Sequence, residues 1–169
     1  MNKKLAQVSS FGLLLVALAI LPACDWFKSK QEQVDYAPLN LIYITNSDEQ
    51  FEDAHILGSV KSDVAQLEEK TKLWPKNIEI VTYCANYQCT ASGEAVKKLQ
   101  ALGFTNVKVY EGGIAQWTQK SAQNSVDYPV VGPAQAKWLK QEVEKTQTVD
   151  PKIQEITAEE LSQELKSLK

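Results

Sequence analysis

Residues 77–103 read NIEIVTYCANYQCTASGEAVKKLQALG. Up to Cys84 the stretch is largely apolar and β-branched, the composition of a strand buried on both faces of a parallel sheet. From Ala91 onward the pattern turns helical: Ala91, Ala95, Leu99 and Leu102 share one face, and Gly103 stands where a C-cap glycine belongs. The same alternation continues outward in both directions. LNLIYIT (39–45) reads as a strand, DEQFEDAH (48–55) as a short helix or turn, and DVAQLEEK (63–70) as helical. TNVKVY (105–110) is a strand with Val107 and Val109 turned inward, and EGGIAQW (111–117) opens a further helix. Strands alternating with helices imply an α/β fold in which helices flank a parallel sheet.

The pattern breaks at VDYPVVGP (126–133), with Pro129, Gly132 and Pro133. Beyond it two helical segments are expected, AQAKWLKQEVEKT (134–146) and TAEELSQELKSLK (157–169), so that 121–169 forms a C-terminal helical extension. Thr157 and Glu160 have capping-box spacing, and Leu161, Leu165 and Leu168 form an apolar stripe expected to pack on the chain's own domain.

At 169 residues and 44% hydrophobic, the chain can bury one ordinary core plus appendages. The first 23 residues lie outside that core. MNKK is a positive start, and FGLLLVALAILPA (11–23) is an apolar run shorter than the roughly 20 residues that span a bilayer, so it reads as a signal peptide. LPAC (21–24) resembles the lipobox of bacterial lipoproteins. That resemblance implies lipidation of Cys24 with a diacylglycerol and an N-acyl group, palmitate among the usual chains. Asp25 beside it implies retention on the inner membrane, facing the periplasm. Residues 24–38 read as a polar tether between lipid and domain.

Loss of Lys3 and Lys4 with the leader takes the net charge from −3 to −5, with 16 lysines against 21 acids, and the chain contains no Arg. Acidic character without Arg argues against nucleic-acid and phosphate recognition. Cys84 and Cys89 are then the remaining thiols. In an oxidising compartment they are open to pairing, so a nucleophile, a structural disulfide and two buried thiols all stand as readings.

Strand, loop and helix N-terminus give Cys84 special surroundings. Ligands of open α/β sheets sit at the carboxyl ends of strands, where the next helix presents unsatisfied amides and its positive dipole end. A thiolate there is stabilised, so the Cys84 pKa is expected to fall toward neutrality. If Ala85, Asn86, Tyr87, Gln88, Cys89 and Thr90 curl around the sulfur, their amides form an anion nest, with the Thr90 hydroxyl capping the helix or donating into the loop. Two thiols and one histidine, His55, are too few for a zinc site, so neither metal nor cofactor is expected.

These residues resemble a rhodanese-like domain. Tyr83-Cys84 followed by Ala91, Ala95, Leu99 and Gly103 is similar to that family's active loop and helix. GFTNVKVYEGGIAQW (103–117), with Gly112, Gly113 and Trp117, is similar to its closing stretch. FEDAHILGSV (51–60) resembles its His-Ile-Pro-Gly element, with His55 and Gly58 kept and Leu57 in place of Pro. The resemblance covers residues 39–120. It implies a sulfurtransferase in which Cys84 attacks a small sulfane-sulfur donor, holds the sulfur as a persulfide and passes it to a thiol acceptor. His55, Tyr83 and Trp117 would be scaffold, and Glu111 a solvated or capping acid.

The sequence also departs from that pattern. The family's Asp-x-Arg pair falls on Ile44 and Asn46, and the loop carries no charge, so thiosulfate turnover is expected to be poor. Thr90 occupies the position that an Arg holds in Cys-x5-Arg phosphatases, which sets that chemistry aside. Cys89 is read as a small hydrophobe at the helix start, a thiol that resolves Cys84, or half of a constitutive disulfide. Two rival functions accompany the sulfur carrier: a thiol redox protein using a Cys84–Cys89 disulfide, and a non-catalytic binding module. The C-terminal ITAEELSQELKSLK resembles the segment that usually opens such a domain, and is expected to pack where that helix would lie.

Overall fold

The computed structural model describes residues 39–133, 135–141, 143–145 and 150–168. The expected signal peptide, Cys24 and the tether lie outside the described residues. In chain order the elements are β1 (Leu39–Ile44), α1 (Asp48–Asp53), β2 (His55–Ile56), β3 (Val60–Ser62), α2 (Leu67–Thr71), β4 (Glu79–Tyr83) and α3 (Ala91–Ala101). They continue with β5 (Asn106–Tyr110), α4 (Gly113–Gln123), β6 (Val130–Val131), α5 (Gln135–Trp138), β7 (Gln154–Glu155) and α6 (Ala158–Ser167).

The main sheet has five strands in the order β3-β1-β4-β5-β7, and every pairing is parallel. Side-chain alternation divides the core into two layers. On one face Leu39, Leu41, Tyr43, Val81, Tyr83 and Tyr110 meet α4 and α6 through Ile114, Trp117 and Leu161. On the other, Ile42, Ile44, Ile80, Val107 and Val109 meet α2 and α3 through Leu67, Ala95, Val96 and Leu99. Burial on both faces is why the central strands read as nearly continuous apolar runs. The α/β expectation is therefore met, with helices on both sides of a parallel sheet.

Helix α3 ends as its sequence requires. Gly103 takes φ +90°, and Phe104 N returns to Leu99 O at 3.1 Å, closing the last turn. Ala91 and Leu102 are only partly buried, because Ser92 and Val96 also face the sheet.

The structure corrects the C-terminal expectation. The helix expected over 134–146 is limited to α5, and residues 143–145 have no regular structure. Gln154 and Glu155, which lie between the two expected helices, form β7, which pairs with Lys108 and Val109 of β5. The next residue anchors the addition, Ile156 N donating to Val109 O at 2.9 Å. The Thr157–Glu160 capping box is present in both directions and starts α6. Its stripe is graded: Leu161 is fully buried, Leu165 packs on the core edge and Leu168 is exposed. Within VDYPVVGP, β6 pairs antiparallel with β2, joining His55 to Val131 and Ile56 to Val130. Among the described residues no helix is long and apolar enough to cross a membrane.

Candidate active site

Register places Tyr43, Tyr83 and Tyr110 side by side at the carboxyl ends of β1, β4 and β5. Cys84 is the next residue along the central strand, and the loop 84–90 rises from it into α3. Cys84 is buried, Cys89 is half-buried, and neither is in a disulfide. The Cys84 Sγ lies 3.1 Å from Cys89 O and 3.3 Å from Ser92 Oγ.

Asn86 builds the loop. Its carbonyl accepts from Cys89 N at 3.1 Å, and its side-chain oxygen accepts from Gln88 N at 3.2 Å. Its amide group donates to Gln141 Oε1 at 2.8 Å. Gln141 belongs to the strap after α5, which Gln119 Nε2 holds by donating to Gln141 O at 2.7 Å and Trp138 O at 3.2 Å. Gln116 Nε2 donates to Tyr87 Oη at 3.1 Å, while Gln116 Oε1 accepts from Tyr110 Oη at 3.0 Å.

From below, the start of α4 presses on the loop. Ile114 N donates to Cys84 O and Ala115 N to Ala85 O, both at 3.0 Å. This approach explains Gly113, which sits at φ +60°. A Cβ there would lie 2.5 Å from Cys84 O and 2.6 Å from the Ala85 carbonyl carbon.

The electrostatics reverse the expectation for Cys84. The neighbouring Cys84 side chain, then the amides of Ala85 and Ala91, lower the Cys89 pKa to about 6 against burial and the nearby Glu94 carboxylate. Cys84, beside Cys89 and buried, is pushed far above the ordinary thiol range despite hydrogen bonds from Ser92. Of the two thiols, Cys89 is thus the readier to ionise and Cys84 the one that keeps its proton. The nest is also narrower than expected, since the amides of Gln88 and Cys89 are engaged by Asn86.

The other expected residues separate cleanly. Thr90 occupies the N-cap position but makes no side-chain cap; its hydroxyl donates to Glu94 Oε1 at 3.1 Å. His55 stacks on Phe51 at 4.1 Å between ring centroids, and its Nδ1 lies 2.8 Å from Phe51 O. Tyr83 and Trp117 are fully buried. Glu111 is not a plain solvated acid: burial first, then the charges of Glu155 and Cys89, raise its pKa against Lys145. Sequence reading missed Ser92, Gln116 and Gln141. Ser92 was legible as the polar position of α3 facing the strand end, whereas the glutamines arrive from remote helices without a local pattern.

A protein-family model, that of the Rhodanese-like domain, matches residues 23–120. Among solved structures, a protein from Bacillus halodurans is 24% identical with a TM-score of 0.50, over 67% of this chain and 74% of its own. A rhodanese from E. coli, solved with anions, is 22% identical with a TM-score of 0.42, over 56% of this chain and 98% of its own. A thiosulfate sulfurtransferase from Pseudomonas aeruginosa is 19% identical with a TM-score of 0.46, over 56% of this chain and 17% of its own. No curated protein matches the chain.

Proposed function

The chain belongs to the rhodanese-like family, and from that premise we propose that it is a sulfurtransferase which carries sulfane sulfur as a persulfide on Cys84. The observation that carries this reading is the buried strand-end thiol of Cys84 at the base of the loop, with Sγ 3.1 Å from Cys89 O and 3.3 Å from Ser92 Oγ, beside a second thiol whose pKa is lowered. As Cys84 Sγ attacks the outer sulfur of a donor R–S–SH, its proton passes to the Cys89 thiolate, which acts as general base. The donor's S–S bond breaks, R–S⁻ leaves, and Cys84 holds the –S–SH group. An acceptor thiolate then attacks that outer sulfur and takes it as its own persulfide, and Cys84 leaves as the thiolate and recovers its proton from Cys89. No net oxidation occurs in either half.

The donor is a small persulfide or related sulfane-sulfur compound, and the acceptor is a thiol. The work takes place at the periplasmic face of the inner membrane, held there by acyl chains on Cys24. Replacing Cys24 with Ala then releases the protein from membranes; a variant that remains bound removes the anchor.

The test is intact mass of the protein before and after a low-molecular-weight persulfide. One added sulfur atom is expected, removed by cyanide and absent from Cys84→Ser. Cys89→Ser loads more slowly, by roughly 100-fold if general-base assistance is lost. Loading that survives in Cys84→Ser ends the reading.

The approach of the Cys84 thiol to Cys89, Sγ to backbone O at 3.1 Å, favours a second reading, a redox pair. Cys89 then attacks the inner sulfur of Cys84–S–SH, forming the Cys84–Cys89 disulfide and releasing HS⁻, and an external dithiol must reduce the pair. Its signature is loss of two hydrogens from the mass, restored by reductant and abolished by either substitution.

A further inference from the structure

Two fully buried hydroxyls, Thr82 and Ser92, interrupt the apolar contact between β4 and α3. Side-chain alternation turns Ile80, Thr82 and Cys84 toward that helix, and the helix turns Ser92, Ala95, Val96 and Leu99 back. Valine at 82 and alanine at 92 would fill those places without a polar group to satisfy. A serine inside a helix commonly bonds back to the carbonyl one turn earlier. Ser92 does not: among the described residues its hydroxyl meets only Cys84 Sγ, at 3.3 Å. The Thr82 hydroxyl donates to Ser92 O at 3.0 Å, tying the first turn of α3 to the strand that leads into Cys84.

The direction of the Ser92 contact follows from the number of hydrogens. The Cys84 thiol has one, and donates it to Cys89 O, 3.1 Å away. The Ser92 hydroxyl is then the donor to Sγ. Asn86 O also faces the sulfur, at 3.9 Å. Two carbonyls suit a thiol and oppose a thiolate, so the resting surroundings favour the protonated form. The hydroxyl and the amide of Ser92 act the other way.

Sulfur transfer needs such a donor at one moment. As the acceptor thiolate bonds to the outer sulfur, the S–S bond breaks and its electron pair returns to Cys84 Sγ. Until the proton comes back from Cys89, that atom carries a full charge beside two carbonyl oxygens. A hydroxyl already in place stabilises the developing charge without rearrangement.

We propose that Ser92 is a catalytic residue whose hydroxyl donates to Cys84 Sγ as that sulfur becomes the leaving thiolate, and that Thr82 is the positioning residue which holds it there. This rests on the sulfur-carrier reading above. Neither residue belongs to the loop 84–90; the strand and the helix on either side of it supply them.

The experiment compares wild type, Ser92→Ala and Thr82→Val as full chains. Single-turnover transfer from the loaded protein to a small thiol is followed by intact mass. Alkylation of unloaded Cys84 by iodoacetamide at fixed pH is followed by peptide mass, and the fold by thermal melting. In Ser92→Ala, transfer should slow by at least about tenfold. Loss of the donor raises the Cys84 pKa by about one unit, and the greater nucleophilicity of the remaining thiolate offsets about half of that, so alkylation should slow about threefold. Thr82→Val should move both rates in the same direction by less. Melting should stay within about 5 °C of the wild type, since one hydrogen bond is at stake. Wild-type transfer and alkylation in Ser92→Ala overturn the proposal. So does a loss of both rates that accompanies a large drop in melting temperature, which would make Ser92 structural. Wild-type rates in Thr82→Val remove the positioning role of that residue. A wild type that never takes up sulfur overturns the sulfur-carrier reading itself, while the alkylation rates still test the bond from Ser92 to Cys84.

Discussion

Replacing Gly113 with Ala attacks the contact that fixes the candidate loop from below. Two costs follow from the geometry. An alanine at φ +60° is strained, by roughly 1 kcal/mol relative to glycine. The added Cβ would also stand 2.5 Å from Cys84 O, 2.6 Å from Ala85 C and 2.7 Å from Ala85 O, all backbone atoms that no side-chain rotation can move aside. Restoring a separation of about 3.5 Å forces the loop and α4 apart by roughly 1 Å. That displacement breaks the bonds from Ile114 N to Cys84 O and from Ala115 N to Ala85 O, both 3.0 Å, at about 0.5–1.5 kcal/mol each.

The sum is a loss of about 2–4 kcal/mol. Gly103→Ala is the internal reference: its φ is +90°, but nothing lies within 4 Å of the added Cβ, so only strain of about 1 kcal/mol applies. Equilibrium urea unfolding of both variants, with m-values compared to the wild type, gives the difference directly. Gly113→Ala should be the costlier by at least about 1 kcal/mol, and should also load sulfur poorly. Equal costs would refute the claim that α4 braces the loop through this glycine.

Removing the chain after Asp150 deletes β7 and α6, and with them the buried Ile153, Ile156 and Leu161. At about 1.5–3 kcal/mol per side chain this approaches the whole stability of an ordinary domain, so the melting transition should drop sharply or vanish; an unchanged melting curve would mean that α6 is a bystander. Leu161→Ala alone, at a fully buried position, should cost about 2–5 kcal/mol by urea titration. Thr157→Ala removes the capping box and should cost about 1 kcal/mol, with no effect on sulfur loading.

The thiol pair also predicts a bell-shaped stability profile. Cys89 has its pKa lowered to about 6 while Cys84 keeps its proton, so between about 6 and the ordinary thiol value near 8.5 the folded pair binds one proton and the unfolded chain two. Stability rises with pH wherever the unfolded state binds more protons; above about 8.5 the unfolded chain loses both, and stability falls. Urea midpoints of the reduced wild type, referenced to Cys84→Ser/Cys89→Ser, should therefore peak near pH 8.5. A flat difference would mean that the fold does not drive the two thiol pKa values apart.

Much of this protein was legible from local pattern. The apolar run ending at Cys84, the helical spacing from Ala91 to Leu102 and Gly103 at the helix end are short-range facts, set by strand and helix periodicity. They determined the α/β class, the central strands, and the strand-end position of Cys84. The Thr157–Glu160 cap likewise needs only neighbouring residues.

Contacts between remote segments were decided by the tertiary structure. Gln154 and Glu155 have no strand signature; they become β7 because the edge of β5 offers unpaired backbone groups that the chain returns to cover. The helix expected over 134–146 stops at Trp138, with Gln141 drawn out of it to hold Asn86. Cys89 ionises more readily than Cys84 because the two thiols are neighbours, Cys84 is the more deeply buried, and the amides of Ala85 and Ala91 favour the Cys89 thiolate. A strand-end cysteine can be read from one dimension. Which sulfur holds the proton depends on the three-dimensional arrangement of donors around the pair, since a few ångströms of displacement change both desolvation and hydrogen bonding.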